Sequence, residues 1–430
     1  MFRFFLSIVL TLFLITSSFA QKDKTERKLV QSVDKHTAYY TDLLKELVNM
    51  NSGTMNFEGV KSVGMRLKSE FEKLNMDATW KDGASWNRAG HLIAETKGNK
   101  GPKLLLIGHL DTVFEPDSPF QSYEMLNDSI MKGPGVADMK GGDVIILMAL
   151  KALKKAKLLD QMQIKVVMTG DEEKSGSPIE ASKKALTDAA EWADIALAFE
   201  NADGDPKTIV VARRGSSSWS LKVKGNAAHS SQVFTDKVGV GAIYEASRIL
   251  DSFYQELSKE ENLTFNPGVI VGGTQTTFDA NTNSGTAFGK TNVVAQEVTV
   301  QGDIRAVSKE QLAMAKAKME QIVNENYPGT SAELTFKAGG YPPLASTKGN
   351  HRLLSLYNEV SEDLGFGTVE AVNPRNAGAA DVSFTAGLVD MAIDGMGLSG
   401  ADDHTINETG DLSKLAVQAK RAAVLMKRLK

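Results

Sequence analysis

"KLLLIGHLDTVF", residues 103–114, sets a short aliphatic run against a histidine and an aspartate. Residues 104–107 are continuously apolar, too few for a buried helix and suited to a strand covered on both faces. The polar pair then falls at the strand's C-terminal end. Alternation along the strand points His109 and Asp111 to one side, where a carboxylate can hold an imidazole in one tautomer. A single His beside an Asp is more often a satisfied core or loop histidine than a ligand, so the rest of the chain must decide.

Outward from this stretch, the strand-like runs "LLLIG", "IKVVMTG" and "DIALAFE" alternate with the helical runs "GGDVIILMALKALKKAK" and "PIEASKKALTDAAE". That order predicts a mostly parallel sheet flanked by helices, with ligands bound beyond the carboxyl ends of its strands. Two amphipathic runs before it, "KLVQSVDKHTAYYTDLLKELVNM" and "NFEGVKSVGMRLKSEFEKLN", read as helices that cover the sheet. The pattern changes near Arg213. "SSSWSLKVKG", "VGVGAIYEASRILDSFYQEL", "FNPGVIVGGT", "NVVAQEVTVQGDIRA", "KEQLAMAKAKMEQIVNENY" and "AELTFKAG" follow as strand, helix, strand, strand, helix, strand, the order of a ferredoxin-like unit. Gly-rich turns and apolar runs return near Tyr341. The expected organisation is an α/β catalytic domain, residues 21–213 and 341–430, interrupted by an inserted ferredoxin-like α+β domain, residues 214–340.

At 430 residues the chain is long enough for two or three compact units, and 42% apolar with 24% charged residues is a globular composition. A net charge of −4 provides no electrostatic footprint for nucleic acid. Residues 1–20, "MFRFFLSIVLTLFLITSSFA", combine Arg3, an apolar segment and the small residues Ser18 and Ala20 as an export signal does, with cleavage expected before Gln21. The alternative is a membrane anchor, but the apolar segment is short of the ~20 residues a span needs, so no stable insertion is expected after cleavage. There is no cysteine, hence no disulfide framework and no thiolate chemistry. A periplasmic or secreted protein is expected.

Further polar residues fall where the sheet should bind ligands. "GPGVADMKGGD" carries Asp138 in a turn before a helix, "MTGDEEKSG" places Glu172 and Glu173 past a strand, "ALAFEN" does so for Glu200, and "SGADDHTINE" contains His404. Each has a plainer alternative: a turn or cap aspartate, a solvated helix start, an edge-strand charge, a loop histidine. Together, two histidines and three carboxylates supply nitrogen and oxygen ligands for divalent zinc, one carboxylate bridging two ions and one glutamate left for acid–base work. Two such ions would share and acidify a water and polarise a carbonyl, which leads to amide hydrolysis.

The ordered set "GHLDTV", "GPGVADMKGG", "GDEEKSG", "FEN" and "DDHTINE", with the inserted domain before the last, resembles the co-catalytic zinc exopeptidases and deacylases. That family includes glutamate carboxypeptidase, aminoacylase, acetylornithine deacetylase and succinyl-diaminopimelate desuccinylase, and "GPG" with "DEEK" is most similar to the glutamate carboxypeptidase branch. The resemblance implies that His109 and Glu200 hold one zinc, Glu173 and His404 the other, and Asp138 both. It makes Glu172 the general base and has Asp111 orient His109. It also implies a cis peptide between Asp138 and Met139, and two zinc ions per chain, for which cobalt or manganese could substitute.

In the inserted domain, "GNAAHSS" places His229 where the family has a histidine that reaches the partner's active site across a homodimer and stabilises an oxyanion. A helix-entry histidine is the alternative. Asn292 and Arg305 have the spacing of the family's substrate-contacting Asn and Arg, though the proline that usually follows that Asn is missing. Arg375 matches an arginine that grips a free carboxylate, with a surface arginine as the alternative. Members of that family with Glu rather than Asp at the position of Glu200 tend to act on substrates with a free carboxylate next to the cleaved amide, so the resemblance implies a carboxypeptidase acting on a small peptide or N-acyl amino acid. An N-acyl-amino-acid deacylase is the alternative within the same chemistry, and a non-catalytic binding protein the alternative outside it.

Overall fold

A computed structural model describes residues 23–280 and 282–430, so the expected export signal lies outside the described residues. The opening stretch is a strand, Lys100–His109, at the centre of a six-stranded sheet. Across that sheet the order is Asp77–Asp82, Gly90–Glu95, Met162–Thr169, Lys100–His109, Ile195–Ala198 and Met391–Ile393. The last four strands pair in parallel, while the first two form an antiparallel edge that the sequence reading did not place. Both faces of the central strand are covered. Leu104 and Leu106 pack in one apolar cluster with Leu44, Leu147 and Leu425, while Leu105 and Ile107 pack in another with Leu186 and Val382.

The helices Lys24–Val48, Gly141–Lys155 and Leu415–Leu429 contribute to the first cluster, and Lys184–Trp192 to the second. Beyond residue 341, where the sequence reading gave turns and apolar runs, the structure adds two long helices, Lys348–Asp363 and Leu415–Leu429. The first starts where Thr347 accepts a hydrogen bond from Asn350 N, and it buries Leu353, Tyr357 and Val360 at helical spacing. No described helix is long and apolar enough to cross a membrane.

The inserted unit is an antiparallel sheet in the order Thr264–Gly273, Glu297–Arg305, Ser217–Gly225, Thr330–Phe336. Its two helices, Ala242–Leu257 and Lys309–Asn324, pack around Trp219, Val300, Phe253 and Met319. This is the ferredoxin-like arrangement. The strand expected from residue 292 begins instead at Glu297, because Val293 bridges to His229 and draws that segment out of the sheet. A hairpin, Gln275–Asp279 with Ser284–Phe288, is an addition that the Thr- and Asn-rich sequence did not announce.

Candidate metal centre

The carboxyl ends of three parallel strands bring His109, Glu173 and Glu200 together with Asp138 and His404, which come from segments flanked by a smaller antiparallel sheet. His109 Nε2 lies 3.0 Å from Asp138 Oδ1 and 3.3 Å from Glu200 Oε1. His404 Nε2 lies 3.0 Å from Asp138 Oδ2 and 3.2 Å from Glu173 Oε2. Asp138 therefore faces both groups, one carboxylate oxygen to each. In each triplet one donor atom per residue falls within 4.8 Å of the others, close enough for a single cation to bind all three. His109 is buried and His404 is 56% exposed, so the second group opens toward solvent.

The segments carrying Asp138, Glu173 and Glu200 are each held from behind by a buried carboxylate. Asp111 Oδ1 accepts from Glu172 N at 3.0 Å, and its Oδ2 accepts from Glu173 N at 3.2 Å and from the Thr54 hydroxyl at 2.7 Å. The His109 ring meets the Asp111 main-chain oxygen at 3.0 Å and its carboxylate only at 3.5 Å, so the carbonyl is the closer brace and the carboxylate serves the glutamate loop. Glu408 accepts from Gly135 N and Ala137 N at 2.9 Å and from Asp138 N at 3.1 Å, which fixes the loop carrying the shared aspartate. The Asp138–Met139 peptide in that loop is cis. Asp394 accepts from Glu200 N at 3.1 Å and pairs with Arg213 Nε at 2.7 Å. Glu408, Asp394 and Arg213 were not singled out in the sequence; a carboxylate four residues after His404 was the only available sign of the first.

The electrostatics are those of a cluster short of positive charge. Burial and the neighbouring Asp138 push both Glu173 and Glu200 up to about 7. Bonds to Asp138 and Glu173 carry His404 up to about 11. Burial opposes a charge on His109, yet Glu200 and the bonds to Asp111 and Asp138 raise it well above the usual imidazole value. Burial also lifts the Glu172 carboxyl, which has Asp381, Glu200 and Glu173 around it. Imidazole nitrogens and carboxylate oxygens in two groups that share one aspartate suit a pair of divalent cations, and such cations would relieve this repulsion.

Residues 105–428 match the profile of the peptidase family M20/M25/M40. The chain belongs to that family. Among curated relatives, Carboxypeptidase G2 of Pseudomonas sp. (strain RS-16) is 25% identical over 425 residues, covering 98% of this chain and 96% of the relative. A probable succinyl-diaminopimelate desuccinylase of Staphylococcus aureus (strain MRSA252) is 28% identical over 316 residues, covering 69% and 72%. Among solved structures, aminopeptidase PepT from Bacillus cereus ATCC 10987 superposes with a TM-score of 0.72 at 22% identity, over 91% of this chain and 98% of that one, a likeness of fold. The protein is a metal-dependent hydrolase of peptide or amide bonds.

The expected substrate contacts are less tightly held. His229 is exposed; its Nδ1 accepts from Ser231 N at 3.2 Å at the head of a short turn, and within the single chain it is a turn cap. Asn292 is exposed beside it, its carbonyl accepting from Ser230 N at 2.9 Å. Arg305 pairs with Asp303 at 3.0 Å, and Arg375 is exposed. Arg214, which the sequence did not single out, donates to the Arg375 carbonyl at 3.1 Å and to the Thr264 hydroxyl at 2.8 Å. Partial burial, followed by the charges of Arg305 and Arg375, holds its pKa below the usual arginine range. Arg214 directly follows Arg213, which pairs with Asp394 behind Glu200.

Proposed function

We propose that this hydrolase is an exported carboxypeptidase with two zinc ions, releasing a C-terminal amino acid from a small peptide or N-acyl conjugate. The carrying observation is the pair of donor groups that share Asp138, His109 with Glu200 and His404 with Glu173, and the carboxylate end is supported by Arg214, which donates to the Arg375 carbonyl. Guanidinium groups suit a free carboxylate next to the cleaved amide. His109 and Glu200 would hold one cation and Glu173 and His404 the other, with Asp138 serving both. When bound, the cation pair supplies an acidified water and Lewis-acid polarisation of the scissile carbonyl.

The protein's own groups do the rest. Glu172, its amide held by Asp111, takes the proton from water and returns it to the leaving nitrogen. Arg375, with Asn292 and Arg305, orients the substrate. His229 of a second subunit stabilises the oxyanion in a homodimer joined through the inserted domain. The export reading rests on residues 1–20 alone.

The reading is tested by comparing free-acid substrates with their C-terminal amides on metal-loaded protein, alongside N-acyl amino acids. Amidation should nearly abolish cleavage, and Arg375→Ala should reproduce that defect on the acid with little further loss on the amide. Glu172→Gln should lower turnover by at least ~10²-fold with about two metal ions per chain retained. Equal rates on acid and amide would refute the carboxypeptidase; a preference for simple N-acyl amino acids over peptides would assign a deacylase.

A further inference from the structure

The catalytic and inserted domains are joined by two backbone crossings that pair along their length. Arg213 and Leu344 exchange both main-chain hydrogen bonds, each 3.0 Å long, and Ser216 N donates to Tyr341 O at 3.0 Å. Glycine permits this closeness: a Cβ at Gly340 would lie 2.1 Å from the Ser216 carbonyl oxygen. A ribbon of two hydrogen-bonded strands is stiffer than two single tethers, and here each strand also sends one side chain into the catalytic loops.

From the outgoing strand, the buried Arg213 pairs with Asp394, whose other oxygen receives Glu200 N. From the returning strand, the Tyr341 hydroxyl donates to the main-chain oxygen of Glu172 at 2.8 Å and lies 3.0 Å from Ser175 Oγ. Its ring is fixed edge-on against Phe384, with centroids 5.0 Å apart, and Lys183 Nζ sits 5.4 Å from its centroid. Lys183 is itself pinned by Asp171 at 3.2 Å and Asp381 at 2.9 Å. The Glu172 residue is thereby gripped twice, at its amide by Asp111 from within the catalytic domain and at its carbonyl by Tyr341 from the crossing.

We propose that Tyr341 is a positioning residue for Glu172, tying the general base to the ribbon on which the inserted domain is mounted. The proposal rests on Glu172 being the base. The hydroxyl touches no reacting atom; it sets where the Glu172 backbone lies, and a carboxylate displaced by a fraction of an ångström transfers protons less effectively.

Tyr341→Phe keeps the ring and removes the hydroxyl. Expected is a fall in kcat of roughly 10-fold or more with KM and metal content little changed, since misplacement costs turnover rather than binding. The same substitution made in Glu172→Asp, which retains a carboxylate but withdraws it, should cost far less, because both changes act on one position. An unchanged kcat, a loss confined to KM, a lowered metal content, a collapse of the melting temperature, or an equal loss in the Glu172→Asp background would each overturn the proposal. Failure of the base assignment is read separately, from a Glu172→Gln protein that keeps its turnover.

Discussion

The metal centre and the inserted domain hold their functional side chains in opposite ways. Around the centre, Asp111, Asp394 and Glu408 are at most 1% exposed, and each spends its oxygens on the backbone amides of a loop that carries a candidate ligand or base. In the inserted domain, His229 and Asn292 stand in solvent, and Arg305 has only a partly exposed ion pair to Asp303. Buried carboxylates accepting several amides hold a loop because leaving those amides unpaired costs about 1–3 kcal/mol each. Exposed side chains have no such restraint. The difference teaches that the candidate metal centre is braced within one chain, whereas the exposed candidate groups of the inserted domain lack a comparable brace among the described residues.

The largest expected effect tests whether the inserted domain takes part in chemistry. If His229 stabilises a developing oxyanion, His229→Ala should lower kcat by about 10²–10³-fold while the melting temperature holds, the side chain being an exposed turn cap. Mixing this variant with Glu172→Gln should then restore activity after subunit exchange, since one site of the mixed dimer keeps both residues. Full activity of His229→Ala, or a verified mixed dimer without recovery, would break the comparison by making the inserted domain a passive cover.

A smaller effect sharpens the other side. Glu408→Gln leaves one amide oxygen where two carboxylate oxygens took three backbone amides, so the loop bearing Asp138 loosens. Metal affinity should weaken by about 10–100-fold, the usual cost of losing a group that orients a ligand, as read by competition with a chelator. Retained affinity would mean that the Asp138 loop is held by its own geometry.

What the sequence disclosed follows the same division. Of the five candidate ligands, His109, Glu173 and Glu200 were legible because they fall at the ends of apolar strands of the parallel sheet, whose ends converge, while Asp138 and His404 stood out only as polar residues in Gly-rich or acidic turns. The groups that brace them were not, because their partners are remote: Glu408 acts on amides some 270 positions earlier, and Asp394 on Glu200 N across 194. Arg214 was hidden for a related reason, since its partners, the Arg375 carbonyl and the Thr264 hydroxyl, lie 161 and 50 positions away. Strand alternation pairs Asp111 with His109, and the structure keeps that carboxylate 3.5 Å from the ring, but the strand ends at His109 and the turn that follows also gives the carboxylate to Glu172 N and Glu173 N. The antiparallel edge escaped notice because Asp77–Asp82 is polar and partly exposed, without the apolar run that marked the inner strands.

The smallest effect concerns His91, in the catalytic interior behind the glutamate loop and 1% exposed. Its Nδ1 accepts from Gly170 N at 3.1 Å, so the proton sits on Nε2, which donates to the Ser182 carbonyl at 2.7 Å. The ring stacks on Trp86, centroids 5.0 Å apart. Protonating Nδ1 would set two N–H groups against each other, and burial, outweighing the pull of Asp171, holds the His91 pKa below its ordinary value. The sign follows from linkage. As pH falls below about 6.5 the unfolded chain takes up this proton before the folded one, so the stabilisation present at neutral pH is lost toward the lower folded value, by at most about 1.4 kcal/mol per pH unit. The carboxylates of the metal centre titrate as well, so the decisive quantity is the difference between the metal-loaded protein and its His91→Gln variant. From pH 7.5 to 5.5 the melting temperature of the parent should drop further than that of the variant, by roughly 1–2 °C. Parallel slopes would mean that His91 takes up its proton in the fold as readily as in the unfolded chain, with the Gly170 contact remade.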